Sequence, residues 1–224
     1  MRLPDRAALP AVRWGDASPA PFRLVPADAG VHLGTGRDGR PVRLAAPGPA
    51  GVRIGVFGES LFGRLFALRL LAVGARVTAA TRVPEQWTGL AGAAGDRLVI
   101  GDSAAGWLRH VPAPPTVGAG PQALVCDQRR PPPAATAEGP WRTVLHVTRG
   151  APRSSAFWGS AHAVLALDAQ FADAVGRILG DRAARATAAL APGEIALFTP
   201  GAGHEVLHPD IAPGETALLT PNLP

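Results

Sequence analysis

The 224-residue chain contains no lysine and no tyrosine, and it carries one cysteine and one methionine. All 22 of its basic residues are therefore arginines. Without lysine there is no Schiff-base amine and no ammonium to grip a phosphate, so any fixed cation is a guanidinium. The lone Cys126 excludes a disulfide framework and fits a reducing compartment. No apolar run approaches the ~20 residues needed to cross a bilayer, and Met1–Pro10 lacks the apolar centre of a signal peptide. A cytoplasmic protein is expected, docked to a membrane only through a partner. The formal charge of +5 is spread over scattered arginines, of which only Arg129 and Arg130 are adjacent. Trp14, Trp87, Trp107, Trp141 and Trp158 are not interleaved with a basic stripe, which argues against a nucleic-acid surface. Alanine, glycine and proline are abundant instead, the composition of a GC-rich genome.

What is present is organised around Val52–Arg82. Ile54, Val56 and Phe57 read as a buried strand ending at Gly58, and Val77–Ala80 reads as a second strand. Between them Leu61, Leu65, Leu68, Leu71 and Ala72 recur at helical spacing, and Gly74 ends the helix. Strand, glycine turn, helix, strand is a βαβ unit of a parallel sheet. Further strands are expected at Arg97–Ile100, Ala123–Asp127, Thr143–Val147 and Ala163–Leu167, with helices over Pro84–Ala94, Phe171–Leu179 and Arg182–Leu190. Ile195–Phe198 and Glu205–Leu207 should form a hairpin around Pro200–Gly203, followed by a short tail. The fold expected is an open, mainly parallel α/β sheet with helices on both faces, RecA/Rossmann-like. Residues 1–47 read as an extension and β meander, with strands at Phe22–Val25, Val31–Gly34 and Val42–Leu44. Residues 48–224 read as the α/β domain.

Gly58-Glu-Ser-Leu-Phe-Gly63-Arg64-Leu65 has the spacing of the P-loop G-x-x-x-x-G-K-[ST], between a strand and a helix. In a working P-loop the backbone amides wrap the phosphates, the lysine meets the β- and γ-phosphates, and the hydroxyl holds magnesium. Here Arg64 stands in the lysine position and Leu65 cannot bind a metal. Ala123-Leu-Val-Cys-Asp127-Gln128 has the form of a Walker B strand with its magnesium-shell Asp kept and its Glu replaced by an amide. An amide cannot take a proton, so hydrolysis loses its base. Gly58, Ser60, Gly63, Arg64 and Asp127 are thus the candidate nucleotide-binding residues. No catalytic residue and no metal site is assigned.

Four further segments resemble parts of FtsK/SpoIIIE-type motor ATPases, including the type VII secretion motor. Val31–Leu44 resembles the strands before their P-loop, and Thr143–Thr148 resembles the strand after their Walker B. Ala163–Gly180 and Pro192–Leu197 are similar to their closing strand, helix and hairpin. The resemblance implies a RecA-like domain that has lost hydrolysis and serves as an accessory subunit of a protein secretion or translocation machine. Its cofactor would be ATP or another nucleotide, its partners the proteins of that machine, and its source of an actinobacterial kind.

Other readings compete. Gly55, Gly58 and Gly63 could form a widened Rossmann turn, with Arg82 meeting a 2′-phosphate, which gives an NADP-dependent oxidoreductase. His204-Glu205-Val206-Leu207-His208 matches the zinc motif H-E-x-x-H, but Pro209 leaves no room for a helix. On a strand its histidines would stand about 13 Å apart, too far to share an ion. Ser60, with Asp127 or Asp168 and His204, follows the chain order of a hydrolase triad, although Ser60 reads better as a helix cap. His146 reads as a hydrogen-bonded core residue.

Overall fold

The computed structural model describes residues 30–220 apart from 117, 118, 151, 153 and 154. The strand expected at Phe22–Val25 lies outside the described residues. Ten strands form one sheet: β1 Val31–Gly36, β2 Pro41–Leu44, β3 Val52–Phe57, β4 Arg76–Thr81, β5 Leu98–Gly101, β6 Gln122–Asp127, β7 Arg142–Thr148, β8 Ala163–Ala166, β9 Ile195–Thr199 and β10 Gly203–Pro209. Their order across the sheet is β2-β1-β10-β9-β8-β3-β7-β6-β4-β5. From β8 to β5 every ladder is parallel. From β8 to β2 every ladder is antiparallel. The segment Val31–Leu44 is thus hydrogen-bonded through β10 into the same sheet as the α/β core.

Alternation along the central strands divides the core between two faces. Ile54, Val56, Val125, Leu145, Val147 and Leu165 face one layer, which holds α1 (Ser60–Ala72), α2 (Thr88–Ala94) and Trp87. Phe57, Leu124, Val144, Val164 and Ala166 face the other, with α3 (Ala156–Gly159), α4 (Ala172–Leu179) and α5 (Asp181–Ala188). Helices therefore cover both faces, as the sequence predicts.

The stripe read on α1 differs. Leu65 and Leu71 of the expected stripe are buried, but Leu61 is 48% exposed, and the buried set also takes in Gly63, Arg64, Phe66, Ala67 and Leu70. Apolar side chains occur nearly all round this helix, so periodicity alone does not fix which side meets the sheet. The expected helix over Pro84–Ala94 splits into a 3-10 turn, Pro84–Trp87, and α2. The supposed tail holds a further helix, α6 (Pro213–Leu219), which starts on a proline. The Glu215 carboxylate accepts from the Ala212 amide at 2.9 Å and from Arg69 Nε of α1 at 2.8 Å. Arg69 also donates to the carbonyls of His32 and Leu33 on β1. One guanidinium thus ties β1, α1 and α6 together. At the β1–β2 turn Arg37 clamps Glu194 with bonds of 2.7 and 2.5 Å. This pair, helped by the Ala191 amide, holds the Glu194 carboxyl down at about 2.

Gly55 marks the tightest helix-side approach to β3. A Cβ there would lie 2.2 Å from the Trp158 ring. Gly55→Ala must displace that ring and is expected to cost about 1–3 kcal/mol, read as a lower denaturation midpoint. An unchanged midpoint would contradict the packing described.

Candidate functional site

In open α/β sheets, ligands bind beyond the carboxyl ends of the strands. A cleft of about 880 Å³ opens there, at the ends of β3, β4, β6 and β7. Gly58, Ser60 and Asp127 line it, together with Arg82, Arg129, Arg130 and Arg149. Three of the five candidate residues from the sequence are therefore brought to one cavity. The other two, Gly63 and Arg64, lie behind its wall on the buried face of α1. Arg149 and Gln86 belong to no motif in the sequence, and Arg129–Arg130 stands out there only as a charge pair. The usable signal was their position, since each follows a strand end or a βα connection.

The connection from β3 to α1 is two residues long, Gly58 and Glu59, and α1 begins at Ser60. A phosphate-wrapping loop needs consecutive amides free of helical bonding. Here α1 starts at Ser60, so the stretch from Gly58 to Gly63 is a two-residue turn followed by the first turn of the helix, and the free amides are those of the helix start rather than of a separate loop. Ser60 is the first helical residue, and the N-cap is Glu59, whose side chain makes no capping bond. The glycines have packing reasons. A Cβ at Gly58 would meet Leu167 Cδ1 at 2.1 Å, and one at Gly63 would meet Val147 and Val125 at 3.1 and 3.3 Å. With Gly55 under Trp158, all three glycines of the dinucleotide reading serve close packing within the fold. The NADP reading thereby loses its pyrophosphate turn, although Arg82 does reach the cleft.

Arg64 follows Gly63 into the interior and is 5% exposed. Its Nη1 donates to Gln86 Oε1, from the 3-10 turn after β4, and its Nε meets no acceptor among the described residues. Burial lowers the guanidinium's pKa, and the negative charge of Asp127 works in the opposite direction. Arg64 and Asp127 thus interact, with Gln86 standing between the guanidinium and the cleft.

Asp127 ends β6 and receives a long contact, 3.5 Å, from Thr81 Oγ1. The Gln128 side-chain amide donates to the Asp102 carbonyl. His146 of β7 fixes this corner. Trp158 Nε1 donates to His146 Nδ1 at 3.1 Å, so Nε2 carries the proton and donates to the Gln128 carbonyl at 2.9 Å. Cys126, fully buried beside this acid, has its thiol pushed up to about 12 by burial and by Asp127, which leaves it unreactive.

The remaining motifs separate in space. His204 and His208 lie on β10, where His204 stacks on Phe198 with ring centroids 5.7 Å apart and His208 approaches Glu194 at 3.8 Å. No group of three potential ligands occurs among the described residues. Registers place His204 level with Gly55 and three strands away from β3, about 14 Å off and short of the strand end where Ser60 sits. The triad reading fails on that geometry. No helix among the described residues is long and apolar enough to cross a membrane.

One mixed, mainly parallel sheet with helices on both faces gives the chain an α/β fold that it shares with solved packaging NTPases. The genome packaging NTPase B204 of Sulfolobus turreted icosahedral virus 2, solved with AMPPCP, is similar at a TM-score of 0.53 and 9% identity. That match covers 74% of this chain and 100% of B204. B204 of Sulfolobus turreted icosahedral virus, a DNA-packaging ATPase, is similar at 0.51 and 10% identity over 74% and 100% of the two chains. No protein-family model matches the chain, and no curated protein matches it in sequence. The likeness is one of fold, shared with packaging ATPases; neither of these two is a type VII motor.

Burial lowers the pKa of His146 below its ordinary 6.5. A depressed folded value means that the unfolded chain binds the proton first as pH falls. The bonded neutral imidazole therefore stabilises fully above about 6.5 and loses that contribution below it. The wild type should lose more unfolding free energy than His146→Gln between pH 7.5 and 5.0 in urea titrations. Equal losses would contradict the assignment.

Proposed function

We propose that this chain is a nucleotide-binding module that does not hydrolyse its ligand and acts as an accessory subunit of a protein secretion or translocation machine. The observation that carries the reading is the contrast at the cleft. The residue in the lysine position of the P-loop spacing, Arg64, is buried and bonded to Gln86, while a rim of four arginines and Asp127 lines the cleft. Guanidinium forks pair bidentately with phosphate oxygens, so Arg82, Arg129, Arg130 and Arg149 suit a polyphosphate tail. The N-terminus of the 13-residue α1 adds free amides and a partial positive charge on the same side.

Hydrolysis lacks its parts. Gln128 cannot accept the proton of an attacking water, and Leu65, in the magnesium-binding position, is apolar and buried. The packaging ATPases with this fold, one of them solved with an ATP analogue, support a nucleotide as the ligand class. The part in a secretion machine rests on the resemblance of Val31–Leu44, Thr143–Thr148 and Ala163–Gly180 to the motor ATPases.

The test is calorimetric titration of ATP into wild type and into an Arg129→Ala, Arg130→Ala double variant. The variant should bind about tenfold more weakly, ~1.4 kcal/mol, and wild-type affinity should fall with added salt. Undiminished affinity in the variant, or no binding by the wild type, would sink the reading. Cross-linking in native cells should recover translocation components; only unrelated metabolic enzymes would contradict the accessory role.

A further inference from the structure

We infer that Gln86 is a latch over Arg64, and that its release gives the cleft a fifth, buried cation for the terminal phosphate of its ligand. The inference rests on the nucleotide reading of the cleft and adds a regulated contact to it. Arg64 is the anomaly that motivates it. A buried cation is normally matched by an anion and by bonds to its whole donor set, because taking an unpaired one out of water is costly. Here one Nη1–H bond goes to a neutral amide and a buried Nε–H goes unmatched. Asp127 contributes charge at a distance, with no hydrogen bond to Arg64. The guanidinium is thus held ready for an acceptor that the described residues do not supply.

The cover over it is thin. Gln86 is exposed, lines the cleft, and sits on a short 3-10 turn whose next residue, Trp87, is buried and anchors it. Rotation of one exposed glutamine side chain would therefore connect the guanidinium to the cleft without moving α1 or the sheet. A phosphate oxygen arriving there offers a charged acceptor in place of the neutral amide, and charge-assisted bonds are about twice as strong as neutral ones.

Labelling with phenylglyoxal, which reacts with accessible guanidine groups, tests this on the full chain by peptide mass spectrometry. Arg64 should be labelled slowly in wild type, about tenfold or more faster in Gln86→Ala, and no faster in Gln86→Glu, whose carboxylate holds the guanidinium more tightly. Saturating ATP should suppress the Arg64 adduct in Gln86→Ala. Because Gln86 is exposed, both variants are expected to fold, and their circular dichroism checks it. Equal labelling of Arg64 in wild type and Gln86→Ala overturns the latch while leaving the arginine rim untouched. Fast labelling that bound ATP fails to suppress overturns Arg64 as a ligand contact. Absence of ATP binding in the separate titration overturns the nucleotide reading itself.

Discussion

The contact between α1 and the sheet at Gly63 governs the rest of the cleft. Any side chain there would press on Val125 of β6 and Val147 of β7, so the helix comes within glycine distance of both strands. That approach fixes the rotation of α1 and starts the helix immediately after a two-residue turn. It also turns the next residue inward. Arg64, Ala67 and Leu71 share a face at spacings of three and four, and the face is buried. The same constraint that packs the core thus turns the Arg64 cation away from the cleft, while the start of the helix at Ser60 stays on it.

What remains at the strand ends is electrostatic. Arg82 follows β4, Arg129 and Arg130 follow β6, and Arg149 follows β7, so successive connections each place a guanidinium at one cavity. Arg149 is 3.5 Å from Glu59 at the mouth, an exposed pair of little energetic weight. The corner below is rigid by contrast. Trp158, His146 and the Gln128 carbonyl form one bonded line from α3 through β7 to the end of β6. It orients the connection carrying Asp127 and the two arginines while leaving their side chains free for a ligand.

Much of this architecture was legible in the sequence, because it rests on period-two alternation and on glycine and proline punctuation. The central strands fall within one or two residues of expectation, and the hairpin of β9 and β10 stands where Pro200–Gly203 placed it. The rotation of α1 was not legible. With apolar residues on nearly every side, the stripe through Leu61 and the one through Ala67 look alike, and only contact with Val125 and Val147 decides between them. Burial of Arg64 follows from that choice, so its sequestration was hidden as well. The spacing from Gly58 to Gly63 reads as a ligand loop because packing glycines and phosphate-wrapping glycines are identical as letters. The helix α6 escaped notice because Pro213-Gly214 resembles a turn, and its stability comes from Glu215 meeting Arg69 on a distant helix.

The account's central claim is that this cleft holds a polyphosphate without cleaving it. Phosphate release from Mg·ATP by the purified full chain, followed over hours at saturating nucleotide, tests that claim most directly. The account predicts release no faster than from Mg·ATP alone, while the protein is demonstrably ligand-bound. Steady turnover that scales with protein concentration and vanishes in Asp127→Ala would contradict it.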